Sequence, residues 1–302
     1  NVGCDARPGA AGAGPTTSRS ETEKMTEPTE LRDLAAEIAR EAGVRVRTRR
    51  AELGDVRAYT MTKSSPVDPV TVVDTMSEEF IVGEIARLRP GDGVIGEEGS
   101  QVASHSGVSW VIDPIDGTVN FVYGLPAFAV SVAAAVDGEV VAGAVYDPSA
   151  DALYSAARGA GATRTDPQGT ETLAVSRETD PERSLVATGF AYASRARRRQ
   201  AELLVDLLPR VRDIRRSGSA ALDLCRLAEG RVDAYYEYGL SCWDFAAGAV
   251  IAEEAGAVVD APALSVPSSE YRLLRAAAGP LDPALAALFD ELAMPAQLAP
   301  LH

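Results

Sequence analysis

The segment Trp110-Val111-Ile112-Asp113-Pro114-Ile115-Asp116-Gly117-Thr118-Val119-Asn120-Phe121 constrains the fold more than any other part of the chain. The apolar run from Val108 to Ile112 reads as a strand, and it ends in two carboxylates three residues apart, so both acids can face one cavity. Pro114 and Gly117 force a turn. The chain beyond it can start a helix, with the amides of Gly117 and Thr118 aimed at an anion. Metal-binding oxygens and phosphate-binding nitrogens would then lie side by side. In a chain with 44 acidic residues a lone Asp-x-x-Asp would ordinarily be a solvated turn, but the apolar residues flanking this one argue against that.

Two further acidic stretches share the arrangement: Gly96-Glu97-Glu98-Gly99 after the apolar Val94-Ile95, and Trp243-Asp244 ahead of an expected helix from Phe245 to Ala255. Carboxylates at the ends of buried elements are costly unless they meet cations. Soft ligands are scarce: the histidines are His105 and His302, and Cys4, Cys225 and Cys242 fall in no paired-ligand spacing. An all-oxygen site suits Mg²⁺ or Mn²⁺ better than zinc. Glu98 is expected to point away from Glu97, as neighbouring side chains do on a strand or turn. Trp110, Trp243 and Cys225 read as packing residues, with Cys242 a neighbour of the site. The same acids could serve as a metal-free pair for glycoside hydrolysis. That reading leaves Gly117-Thr118 and Lys63 unexplained, and two tryptophans are few for a sugar cleft.

A length of 302 residues suggests two sub-domains. Residues 1–25 read as a flexible leader, 26–176 as an N-terminal sub-domain carrying the metal site, and 177–302 as a C-terminal α/β sub-domain carrying Asp244 and substrate contacts. Helical spacing of Leu31, Leu34, Ala35, Ile38, Ala42 and Val46 predicts an opening helix to about Arg50, and a polar loop from Thr62 to Asp74 feeds a second helix, Thr75 to Leu88. Phe128 to Val136, Val140 to Tyr146 and Ala152 to Ala157 form an antiparallel meander whose first turn is Asp137-Gly138. Thereafter strands at Leu185 to Thr188 and Val232 to Tyr236 alternate with helices at Arg198 to Leu208, Ala220 to Ala228 and Phe245 to Ala255. The net charge of −15 opposes direct binding to nucleic acid or anionic lipid. No run of 18 apolar residues and no export signal is present, and the expected location is the cytoplasm.

Six stretches taken together resemble the inositol monophosphatase family. They are Lys63-Ser64-Ser65-Pro66-Val67-Asp68, the Gly-Glu-Glu at 96–98, the segment from Trp110 to Phe121, Arg216-Ser217-Gly218-Ser219-Ala220-Ala221, Asp233-Ala234-Tyr235-Tyr236-Glu237 and the Trp-Asp at 243–244. The resemblance spans about Leu31 to Leu292. It implies an α/β (α+β) protein, layered as an α-β-α-β-α sandwich of two sub-domains, usually a homodimer. By resemblance Glu97, Asp113, the Ile115 carbonyl, Asp116 and Asp244 are Mg²⁺ ligands for two or three ions. Thr118, bonded to Asp74, acts with Glu97 to orient and deprotonate the attacking water. Asp116 and the amides of Gly117 and Thr118 contact phosphate, Ala220 and Glu237 contact the inositol, and Lys63 belongs to a mobile loop near the metals. Inhibition by lithium is implied as well.

The expected reaction is hydrolysis of inositol 1-phosphate to inositol and phosphate. Histidinol phosphate, fructose 1,6-bisphosphate and adenosine 3′,5′-bisphosphate are alternative substrates, and a role as protein-binding partner of a transcription complex is an alternative of another class. Glu237 favours a polyol, since a carboxylate accepts hydrogen bonds from neighbouring hydroxyls. The stretch from Ala187 to Ser194, where the family often places a serine near the inositol, shows no assignable equivalent.

Overall fold

The structure, a computed structural model, describes residues 27–62 and 69–298. The leader at 1–25 and the whole Lys63 to Asp68 motif, Lys63 included, lie outside the described residues. Helix α1 (Pro28–Leu53) buries Leu31, Ala35, Ile38, Ala39, Ala42, Gly43 and Val46, the single apolar stripe that its spacing predicts. A short ribbon of β1 (Thr60–Thr62) and β2 (Pro69–Thr71) leads into α2 (Val72–Leu88), which begins three residues earlier than the polar sequence suggests. The Thr71 and Asp74 side chains close a capping box, so Asp74 is the third residue of the helix instead of the end of a loop.

Strands β3 (Gly93–Gly96), β4 (Gln101–Val102) and β5 (Val108–Asp116) follow, and then the short helix α3 (Thr118–Tyr123). The meander is β6 (Ala129–Val136), β7 (Glu139–Asp147) and β8 (Ala152–Ala157), extended by β9 (Gly161–Asp166) and β10 (Gly169–Thr172). At its first turn Asp137 and Gly138 both take positive φ, 52° and 88°, as the tight hairpin requires. These strands form one sheet of eight in the order β10-β9-β8-β7-β6-β5-β3-β4, antiparallel except for β3 beside β5. The second sheet is built from β11 (Leu185–Thr188), α4 (Ser194–Leu207), β12 (Asp213–Arg215), α5 (Ala220–Ala228), β13 (Ala234–Tyr238), α6 (Cys242–Glu254), β14 (Ala257–Asp260), β15 (Leu273–Ala278) and α7 (Asp282–Glu291). Its order is β12-β11-β13-β15-β14.

Burial sorts these elements into five layers. One core joins α1 and α2 to the outer face of the eight-stranded sheet through Leu31, Ile38, Ile81, Ile112, Val132 and Tyr146. A second joins that sheet's other face to α5, α6 and the five-stranded sheet through Val111, Ala133, Leu224, Phe245, Tyr235 and Ala276. The third joins the far face of the small sheet to α4 and α7 through Val186, Leu207, Tyr236, Leu285 and Phe289. The result is the α-β-α-β-α sandwich. Small residues set the spacing between layers: a Cβ on Gly143 of β7 would stand 2.7 Å from the Cα of Ala247 in α6. Trp110 and Cys225 are fully buried, in keeping with their packing assignment, and Trp110 also donates its indole N–H to Asp92 at 2.8 Å. Among the described residues no helix is long and apolar enough to cross a membrane.

The sheet-to-helix approach at Gly143 yields a direct test. Gly143→Ala forces α6 away from β7, and overpacking of this kind costs roughly 1 to 3 kcal/mol. The expected outcome is a lower urea midpoint with an unchanged slope; an unaltered midpoint would show that the layers yield without cost.

Candidate active site

Strand β5 delivers the central acids. Its pairing with β6 is regular from Val108 to Asp113, then slips between Asp113 and Asp116, so the strand continues through Pro114 as an irregularity instead of ending at Ile112. The Asp113 carboxylate accepts from the Ile115 amide at 3.0 Å, which stabilises the slip. Gly117 then turns the chain with φ of 91°, and a Cβ there would meet the carbonyls of Ala127 at 2.8 Å and Gly218 at 3.0 Å. Only glycine meets both demands.

Helix α2 supports this strand from behind with three polar side chains on one face, Asp74, Ser77 and Glu78. The Thr118 hydroxyl lies 3.2 Å from Asp74 and 3.0 Å from the Ile115 carbonyl, either of which can take its single proton. Ser77 donates to the Pro114 carbonyl at 3.3 Å. Glu78, buried, accepts from the amides of Glu98 at 2.8 Å and Ser100 at 2.9 Å, and so grips the turn that carries Glu97. Glu78 was not among the expected site residues, although its spacing from Asp74 places both on one helix face. Glu98 is partly buried, and its backbone amide is the one held by Glu78.

Across the cavity, the second sheet's helices meet the same acids. The Asp116 carboxylate accepts from the Ser219 hydroxyl at 2.5 Å and from the amides of Ala221 at 2.8 Å and Ala220 at 3.3 Å. The Ala220 amide is therefore turned toward Asp116, while Ala220 itself lines the cavity. Asp244 lies in the first turn of α6 and not ahead of it; its carboxylate accepts from the Ser241 amide at 2.6 Å in a second capping box.

Glu97, Asp113, Ile115, Asp116, Gly117, Thr118, Ala220, Glu237 and Asp244 all line one cavity of about 640 Å³. Asp74 stands behind Thr118, fully buried. The charges are held at a cost. Burial pushes the Asp113 carboxyl well above the usual range, and repulsion from Glu97, Asp116 and Asp244 adds to it. Burial raises Asp244 in the same way, with Glu97 and Asp116 contributing. Asp116 is pushed up to about 7 by burial, against the opposing pull of the Ser219 hydroxyl and the Ala221 amide.

Among the described residues no three acidic, histidine or cysteine side chains are already gathered into a closed ligand set. The oxygens lining the cavity nevertheless fit a hard divalent cation: they are carboxylates and a backbone carbonyl, and repulsion from the neighbouring acids raises Asp113 and Asp244. Glu97, Asp113, the Ile115 carbonyl, Asp116 and Asp244 are the residues that could hold it.

Comparison with known proteins agrees with this geometry. The model of the inositol monophosphatase family matches residues 27–293. Inositol-1-monophosphatase SuhB of Mycobacterium tuberculosis (strain ATCC 25618 / H37Rv) is 50% identical over 278 residues, covering 88% of this chain and 96% of the relative. Nus factor SuhB of Pasteurella multocida is 41% identical over 229 residues, covering 75% of this chain and 83% of the relative. A solved structure of Mycobacterium tuberculosis SuhB superposes with a TM-score of 0.77 at 47% identity, covering 88% of this chain and 98% of that one. A match of this extent, in sequence and in fold, means that the chain belongs to the inositol monophosphatase family.

Proposed function

We propose that the chain is a Mg²⁺-dependent phosphatase that hydrolyses inositol 1-phosphate by direct attack of water. The observation that carries the reading is the convergence of Glu97, Asp113, Asp116 and Asp244 on one cavity whose far wall holds Glu237. Bound Mg²⁺, with Mn²⁺ as a substitute, would supply the positive charge that a phosphate dianion and its departing alkoxide need. The chain's own residues do the rest. When its proton is committed to the hydrogen bond with Asp74, the Thr118 hydroxyl has lone pairs left to accept a hydrogen bond from water and orient it. Glu97 lines the same cavity and is the base that would take the water's proton. The turn at Gly117 presents backbone amides to the phosphate oxygens, and Glu237 receives the alcohol's hydroxyls.

The same reading carries homodimerisation, inhibition by Li⁺ and a cytoplasmic location. The name of the Pasteurella multocida relative favours a second reading, partnership with a transcription complex, which is compatible with catalysis because Glu97, Asp113, Asp116 and Asp244 all line the cavity of this chain. Phosphate release measured over inositol 1-phosphate, histidinol phosphate, fructose 1,6-bisphosphate and adenosine 3′,5′-bisphosphate decides the substrate. A clear preference for the inositol ester is expected.

Activity should vanish in EDTA and return with Mg²⁺; full turnover after exhaustive chelation would end the metal reading. Asp113→Asn should lower kcat on the order of a thousandfold or more, a loss of several kcal/mol of transition-state stabilisation.

The same substitution has a readout in stability. A carboxyl raised on folding contributes stability that is present below its ordinary pKa and lost as pH rises through the folded value. At pH 8 in EDTA, Asp113→Asn should therefore melt no lower than the wild type, whereas added Mg²⁺ should raise the wild-type Tm and leave the variant's nearly unchanged. A variant that melts far lower in EDTA would show that Asp113 holds the fold and not a cation.

Glu237→Gln should raise KM for inositol 1-phosphate far more than it lowers kcat. A lost hydrogen bond to a charged acceptor is worth roughly 1.5 to 3 kcal/mol, which is about ten- to a hundredfold in kcat/KM. Hydrolysis of para-nitrophenyl phosphate, which has no hydroxyls to hold, should change little; equal losses on both esters would assign Glu237 to the metal site or the fold.

A further inference from the structure

The position of the Glu237 carboxylate is fixed from two sides. Tyr235 and Glu237 are two apart on β13 and so project to the same face. The Tyr235 ring is fully buried, and its hydroxyl donates to Glu237 Oε2 at 2.7 Å. Burial pushes the phenol well above its ordinary range, so it stays protonated and can only donate to a carboxylate.

The other side is the stretch after β11 that the sequence left unassigned. Strand β11 runs parallel to β13 with Thr188 opposite Tyr236, which brings Gly189 alongside Glu237. A Cβ on Gly189 would stand 2.0 Å from Glu237 Oε2 and 2.2 Å from its Cδ and Oε1, so any side chain there would evict the carboxylate. Buried Gln200 of α4 holds the segment in place, accepting from the Ala191 amide at 3.0 Å. Gly189 and Ala191 both line the cavity.

We propose that Tyr235 is a positioning residue for alcohol selectivity, holding Glu237 in the space that Gly189 leaves open. This rests on the reading of Glu237 as the alcohol's acceptor. Tyr235 touches neither the acidic cavity nor the reacting phosphate; it acts through Glu237. Removing the phenolic hydroxyl frees the carboxylate to rotate, and adding a methyl at Gly189 displaces it. Both changes should weaken capture of the alcohol and spare the chemistry at phosphorus.

The test is steady-state kinetics of wild type, Tyr235→Phe and Gly189→Ala on inositol 1-phosphate and para-nitrophenyl phosphate with saturating Mg²⁺. Tyr235→Phe should raise KM for the inositol ester about three- to tenfold with kcat nearly kept, and leave the generic ester within about twofold. Gly189→Ala should show the same asymmetry, and it decides the matter alone if Tyr235→Phe does not fold. In a Glu237→Gln background Tyr235→Phe should add little, since its route is already cut. Equal losses on both esters, or an unchanged preference for the inositol ester, would overturn the proposal. A wild type that hydrolyses para-nitrophenyl phosphate but not inositol 1-phosphate would instead overturn the substrate reading, and the selectivity assigned to Tyr235 with it.

Discussion

The carboxylate of Asp116 joins the two halves of the molecule. It sits at the end of β5 in the eight-stranded sheet, yet its oxygens take the Ser219 hydroxyl and the amides that open α5, which packs against the five-stranded sheet. Nearby, Asn120 of α3 donates to the carbonyls of Ala127 at 2.7 Å and Ser217 at 2.8 Å, and Gly117 lies under the Gly218 carbonyl. The junction thus combines buried hydrogen bonds to the Asp116 carboxyl with neutral, partly buried ones from Asn120. Shifting α5 would leave Asp116 buried and unpaired, a penalty larger than the worth of any one of these bonds. The geometry of the cavity is consequently tied to the packing of the two sheets.

Holding several carboxylates around one cavity also explains where helices start. Asp74 and Asp244 are both the third residue of a helix, and each closes a capping box, with Thr71 and with Ser241. The helix N-terminus supplies amides and a favourable field to a charge that would otherwise be expensive to bury. Each acid is thus part of the fold and of the site at once. Glu78 shows the complementary arrangement: a buried carboxylate that does not face the cavity but holds, through two amides, the turn that carries Glu97.

Much of this was legible in the residues. The acidic motif at the end of an apolar strand, the Asp137-Gly138 hairpin, the stripe of α1 and the bounds of β8, β11 and α5 follow from local chemistry, because each is decided by residues within a few positions of one another. Most of what escaped was decided by distant partners. The α2 start was a local signal passed over, a Thr71–Asp74 capping box three residues apart, whereas β5 runs past Ile112 because Asp116 still pairs with Ala129. Strands β14 and β15 are short and find their pairing only with each other and β13. The importance of Ser219 and Gly189 lies in contacts with Asp116 and Glu237, which the chain brings near only on folding. Ser77 and Glu78 were the exception: their helical spacing from Asp74 is visible, though polar residues on a buried face are easily taken for the solvated side.

The division of labour between the two sheets has a chemical consequence. The groups assigned to the phosphate end, Glu97, Asp113, Asp116 and Thr118, come from the first sheet and its short helix, with Asp244 reaching in from α6. The wall facing them, Gly189 to Ala193, Glu237 and the Arg216 side chain, comes from the second sheet and its connections. The hydrogen bond that fixes Glu237 runs to Tyr235 within β13 and not to β5, although the Glu237 charge still adds to the repulsion felt by Asp244. The two walls meet at Asp116, whose bonds to Ser219 and Ala221 set the distance between them. On the function proposed above, the reacting phosphorus lies where both can reach, and this junction is then the part of the fold on which the room for the alcohol depends.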